Sequence, residues 1–140
     1  MTTSIDTNVL VALWDRNDTL NSTARIALDE ALQRGNLVLA APVFSELMAA
    51  PNRDEGFLDT FLRDTSIAVD WDLDQSVWRL AGKAFQRYAA SRRKQREPGP
   101  RRILADFLIG AHAFRRGFGL LTLDDRIYRK AFPDLAITRA

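Results

Sequence analysis

The 140-residue chain has no cysteine, one histidine (His112) and three lysines (Lys83, Lys94 and Lys130). Without cysteine there is no disulfide framework and no thiolate metal site, and the composition fits a reducing cytoplasm. One histidine leaves a histidine-based zinc site or a Ser-His-Asp triad without support. Apolar runs long enough to cross a membrane are missing. The polar start Met1-Thr2-Thr3-Ser4 leads directly into a strand rather than into a signal peptide. The expectation is a cytoplasmic protein with no membrane contact. Repeats and linker-like breaks between domains are also absent, so residues 1–140 read as a single domain.

What is present is ordinary in amount and uneven in kind. Hydrophobic residues make up 46% and charged residues 27%, which are globular values. The net charge is +2 and the sequence pI about 9.4, with arginine supplying most of the positive charge. An arginine excess follows from GC-rich codon usage, and it also supplies forks suited to bidentate phosphate recognition. Composition does not separate the two.

Short apolar strands alternate with helical patterns. Strands are expected at Ser4 to Asp6, Leu37 to Ala40, Ile67 to Val69, Gly119 to Thr122 and Leu135 to Thr138. Between them, helices are expected after Asp6 through Trp14, and from Asn21 to Arg34 with Ser22 as its cap and Gly35 as its stop. Pro42 suits the first turn of a helix that carries Glu46. Further helices are expected at Asp54 to Thr65, Asp74 to Arg93, Ile103 to Phe114 (closed by Gly117) and Asp125 to Phe132. Alternation of this kind predicts an α/β domain, a three-layer α/β/α sandwich around a mainly parallel sheet. The charged, Pro/Gly-rich stretch from Arg92 to Arg102 reads as a surface loop. Arg92, Arg93, Arg101 and Arg102 are its candidate phosphate contacts, against the simpler view of a solvated linker.

Four acids carry the chemistry. Ligands of open α/β sheets bind outside the carboxyl ends of the strands. Asp6 ends the first strand, Glu46 lies in the helix after the second, and Asp124 follows Thr122 at the end of another. Asp106 is the only acid in an otherwise apolar helix, Ile103-Leu104-Ala105-Asp106-Phe107-Leu108-Ile109-Gly110-Ala111, where an unpaired carboxylate is costly to bury. Each acid has a structural alternative: Asp6, Asp106 and Asp124 as helix caps, Glu46 as a solvated helix residue. Taken together they repel, since two charges about 4 Å apart cost about 4 kcal/mol at an effective dielectric near 20. A convergent set calls for a hard divalent cation with oxygen ligands, and so for phosphate chemistry. A bound ion acidifies water and steadies charge on a phosphoryl oxygen, which needs no histidine base. His112 lies about 240° round the helix from Asp106 and is assigned a structural role. Trp14, Trp71 and Trp78 are expected as core or interface anchors.

Four segments in order, Ile5-Asp6-Thr7-Asn8-Val9-Leu10, Ser45-Glu46-Leu47, Ala105-Asp106-Phe107-Leu108-Ile109-Gly110-Ala111-His112-Ala113 and Leu121-Thr122-Leu123-Asp124-Asp125, resemble the PIN domain. More narrowly they resemble VapC-type toxins of toxin–antitoxin modules, over essentially the whole chain. The resemblance implies a Mg²⁺- or Mn²⁺-dependent endoribonuclease with Asp6, Glu46, Asp106 and Asp124 as its catalytic and metal-binding acids. Thr7, Asn8 and Thr122 match the family's polar supports. Asp125 competes for the fourth acidic place, and the Thr-x-Asp pattern favours Asp124. The resemblance further implies an RNA substrate, a small antitoxin that inhibits the protein, a homodimer, and contact with DNA only through the antitoxin. The inhibitor groove is expected where Val11, Leu13 and Trp14 approach Phe44, Leu47 and Met48, residues that would otherwise be core. Other sheet-edge acid enzymes fit less well: a dehalogenase-type phosphatase wants Asp-x-Asp on the first strand, and a receiver domain an acidic pair there. A non-catalytic PIN-like binding module would lack one of the acids. None is missing.

Overall fold

A computed structural model describes residues 1–95 and 103–140. The elements run β1 (Thr3–Ile5), α1 (Thr7–Trp14), α2 (Asn21–Arg34), β2 (Leu37–Ala40), α3 (Ala41–Leu47), α4 (Glu55–Thr65), β3 (Ala68–Asp70) and α5 (Gln75–Gln95). After these come α6 (Leu104–Arg116), β4 (Gly119–Thr122), α7 (Arg126–Ala131) and β5 (Ile137–Arg139). The five strands form one sheet in the order β3-β2-β1-β4-β5, and every pairing is parallel. Helices flank it, giving the expected three-layer sandwich.

The order matches burial. β1, β2 and β4 are buried at every position, as strands covered on both faces are, and in β1 that burial includes the hydroxyl residues Thr3 and Ser4. β3 and β5 are partly exposed and take the two edges. The core is a single cluster that includes Ile5, Val9, Leu39, Leu47, Phe107, Ile109 and Leu121. β1 is central, so whatever follows Ile5 emerges from the middle of the sheet's carboxyl edge.

Several sequence expectations shift. Ser22 does not cap α2: the cap position is Leu20, with no side-chain bond there. Asn21 instead donates its amide to the carbonyls of Ala12 and Leu13, both at 2.9 Å, and so closes the end of α1. The edge strands lie later than their apolar runs suggest, because pairing with a neighbour, not hydrophobicity, fixes where a ladder ends. β3 therefore finishes on Asp70, paired with Ala40. The helix expected to reach Arg93 runs to Gln95, so of their two expected placements Arg92 and Arg93 take the helical one and not the loop. Arg101 and Arg102 lie outside the described residues. Trp71 and Trp78 are 64% and 49% exposed, which removes both from the core. Trp14 does anchor packing, meeting Phe57 and Phe61 edge-on at 5.2 Å each.

Candidate acidic active site

β1 ends at Ile5, and Asp6 turns the chain into α1 as its N-cap, accepting from the Thr7 backbone N–H at 2.8 Å through Oδ1. The cap reading is therefore correct for Asp6, and it accounts for only one of its oxygens. Oδ2 accepts from the Thr122 hydroxyl at 2.8 Å and from the Tyr128 hydroxyl at 3.0 Å. Asp6 is 5% exposed. Burial pushes its carboxyl above the ordinary aspartate range and Glu46 adds to that shift, while the three donors oppose it.

The other acids reach the same hollow. A pocket of about 280 Å³ is lined by Asp6, Thr7, Asn8, Glu46, Asp106, Asp124 and Tyr128, with Val11 and Ile127 as its apolar walls. Glu46, near the end of α3, accepts from the Thr7 hydroxyl at 2.6 Å. Asp106 sits in the first turn of α6, where Ile103 holds the cap position, so its cap reading fails. Asp124 also is not the cap of α7. That position belongs to Asp125, whose carboxylate pairs with Arg129 one turn on. That pairing pulls the Asp125 carboxyl below its usual range. Asp124 meets Arg126 in a two-pronged ion pair, 2.9 and 2.8 Å, at the outer rim.

Polar supports knit the floor. Asn8 accepts from the Leu123 backbone N–H at 3.1 Å, locking α1 to the loop after β4. Thr122, fully buried, gives its proton to Asp6 and accepts from the Asp124 backbone N–H at 3.2 Å. Among the described residues, no lysine or arginine lines the pocket. An all-oxygen, anionic donor set of this kind fits a hard divalent cation and not a soft one. With Glu46 held by Thr7 and Asp124 held by Arg126, no three acids among the described residues stand as a ready-made ligand group.

A model of the PIN domain matches residues 4–133. The chain belongs to the PIN domain family. Solved structures agree on the fold. VapBC2 from Rickettsia felis, bound to a DNA fragment from its promoter, aligns with a TM-score of 0.71 at 18% identity over 99% of this chain and 98% of the other. VapBC-1 from nontypeable Haemophilus influenzae gives 0.67 at 20% identity, over 99% and 98%. Mycobacterium tuberculosis VapC20, a sarcin-ricin loop cleaving toxin, gives 0.64 at 13% identity, over 99% of each chain. No curated protein matches the chain.

Within this PIN fold the residue that sequence reasoning missed is Tyr128. It is 2% exposed, and burial first, then the charges of Asp6, Asp106 and Glu46, hold its phenol far above the ordinary range. It is a neutral donor that fixes Asp6. Gly110 makes room for it: a Cβ there would lie 2.4 Å from the Phe132 ring and 3.1 Å from the Tyr128 ring. A glycine in the middle of an apolar helix signals such an approach, and nothing local says which side chain arrives.

His112 is structural, as expected. It is fully buried, and its Nε2 lies 2.8 Å from Asp70 Oδ2, away from the acidic pocket. Of the basic candidates, Arg92 places Nη1 3.5 Å from the Tyr88 hydroxyl and Arg93 is exposed; neither lines the pocket.

Proposed function

We propose that this protein is a VapC-type toxin, a metal-dependent endoribonuclease of the cytoplasm that hydrolyses RNA phosphodiester bonds. The observation that carries the reading is one pocket in a PIN-family chain that gathers Asp6, Glu46, Asp106 and Asp124 and, among the described residues, no lysine or arginine. These four would hold Mg²⁺ or Mn²⁺. The cation, when bound, supplies Lewis-acid polarisation of the phosphate and an acidified water. The chain's own residues do the rest. Thr122 and Tyr128 fill Asp6 Oδ2, which leaves Oδ1 as the oxygen with a lone pair to offer. Thr7 positions Glu46, and Asn8 holds the Thr122–Asp124 loop in place.

An active ribonuclease requires restraint, and the architecture gives an inhibitor somewhere to sit. Val11 lines the acidic pocket and also a neighbouring hollow of about 330 Å³ formed with Trp14, Ala50, Pro51 and Arg53. A small antitoxin would lay an apolar helix face in that hollow and extend a basic side chain to the acids. Of the residues expected in that groove, Leu47 turns into the core at 1% exposure, whereas Phe44 is half-buried and packs on the exposed Trp71 at 4.9 Å. Homodimerisation and indirect DNA contact through the antitoxin belong to the same reading.

The test has two arms. Purified protein should cleave RNA with Mg²⁺ or Mn²⁺ and stop on chelation. Expression should arrest growth, with rescue and co-purification when the product of the adjacent upstream reading frame is supplied. Harmless accumulation of active protein without a partner would reject the toxin role, and absence of metal-dependent RNA cleavage would reject the nuclease.

A further inference from the structure

Between α5, α6 and α7 lies a further cavity, of about 210 Å³, whose charged lining among the described residues is Arg87 and Lys130. Its walls include Tyr88, Phe107 and Ile127. We infer that this cavity is a nucleotide subsite for the RNA strand, with a base against the Tyr88 ring and a flanking phosphate between Arg87 and Lys130. The inference rests on the ribonuclease reading and extends it beyond the acids.

Three features of the site support this occupant. The first is continuity: Ile127 lines this cavity and the acidic pocket alike, so a strand cut at the acids passes one side chain away. Charge is the second. The pocket holding the scissile group is lined by acids, whereas among the described residues its neighbour is lined by two cations and no acid, which suits the phosphates on either side of a metal-held one. The third is the aromatic wall. Tyr88 is half-buried and braced by Phe85, near-parallel at 6.4 Å, and by Phe107 at 5.5 Å, so the ring is fixed before anything binds. Sequence-tolerant single-strand binding combines a fixed aromatic face with backbone cations in this way. The volume falls below the range of pockets that enclose drug-sized ligands, as expected for one base.

Arg87 and Lys130 are exposed, and among the described residues Arg87 is held by a 3.5 Å contact to the Ala131 carbonyl. Both can be replaced without disturbing the core. The experiment measures fluorescence anisotropy of labelled single-stranded RNA decamers of A, C, G and U at several salt concentrations, with chelator to prevent cleavage. Metal-dependent cleavage of total RNA is followed in parallel. Arg87→Gln with Lys130→Gln should weaken binding and lower the salt slope by about 1.4, two contacts at about 0.7 each. Tyr88→Ala should weaken binding by about 5- to 150-fold, the loss of one base–aromatic stack, and Tyr88→Phe should retain it. A wild-type protein that cleaves RNA while the Arg87/Lys130 variant keeps the full salt slope would overturn the subsite and leave the ribonuclease reading standing. So would a variant whose only change is its oligomeric state by light scattering, since the cavity would then face a second copy. A wild-type protein that neither cleaves nor binds RNA would overturn the underlying reading itself.

Discussion

Asp6 and Asp70 occupy equivalent places on one sheet, and their surroundings push them in opposite directions. Asp70 is the last residue of β3 and Asp6 follows the last residue of β1, so both stand at carboxyl ends of parallel strands. Around Asp70 the chain supplies its own hydrogen-bond partners, Arg116 among them as a cation. His112 and Arg116, one turn apart on α6, reach Oδ2 at 2.8 and 3.2 Å, and Arg116 also reaches the carbonyl of Asp72 at 2.9 Å. Desolvation pulls Asp70 upward, but the His112 bond, the Asp72 backbone N–H and the charge of Arg116 prevail and hold it below the usual range. Around Asp6 the chain supplies hydroxyls and further acids, and burial holds it above that range. A carboxylate with internal counterions is a rivet. One surrounded by its own kind is an arrangement that is complete only when a cation arrives from outside.

Exchanging the two aspartates' fates is the strongest way to break the comparison. Asp6→Asn should lower metal-dependent RNA cleavage by at least about 10²-fold, as loss of several kcal/mol of charge stabilisation implies. Its melting temperature without metal should be unchanged or raised, since a repelled charge is gone. Cleavage at the wild-type rate with metal still required would remove Asp6 from the site. Asp70→Ala should do the reverse: it strands His112, whose Nδ1 already lacks a hydrogen-bond partner among the described residues, in the core. A loss of about 2–3 kcal/mol in urea unfolding is expected, the scale of broken charge-assisted hydrogen bonds. Metal affinity at temperatures where the variant stays folded should remain near wild type.

Tyr128→Phe sharpens the contrast on the Asp6 side alone. Removing one of two donors to Oδ2 should weaken Mn²⁺ binding by about 10- to 100-fold, as changes behind a metal ligand do, with little change in the melting temperature. Calorimetric titration with Mn²⁺ reads this directly, and wild-type affinity would reduce Tyr128 to packing.

The smallest effect expected is on pH dependence, and its sign differs between the two residues. Asp70 is lowered in the folded state, so its contribution to stability is present above the ordinary aspartate range and is lost as pH falls toward its depressed value. Asp6 is raised, so its contribution is greatest below the ordinary range and is lost as pH climbs through its elevated value. Metal competes with that proton. Mn²⁺ affinity should therefore begin to fall, on acidification, at a pH above the ordinary aspartate range, while Asp70→Ala should not move that midpoint. A midpoint at or below the ordinary value would contradict the raised Asp6.

Local sequence was sufficient for much of this molecule. Apolar runs of three or four residues separated by helical patterns dictate a parallel sheet, because only strands covered on both faces bury such runs. Asp6, Glu46, Asp106 and Asp124 were legible as a set because three follow strand ends and the fourth interrupts an apolar helix. What the tertiary structure alone decided is that Asp70 meets a cation, Arg116, while Asp6 meets hydroxyls. The sequence rule that selects Asp6 applies equally to Asp70, and nothing near Asp70 in the chain announces that His112 and Arg116, more than forty residues on, will bond to it. Tyr128 and Gly110 are the same case. A tyrosine in a short helix and a glycine in an apolar one are unremarkable locally, until α7 packs against α6 and delivers a hydroxyl to the far side of Asp6. Backbone pattern is a property of neighbours in sequence, while the charge a carboxylate feels is set by whichever side chains the fold brings within a few ångströms.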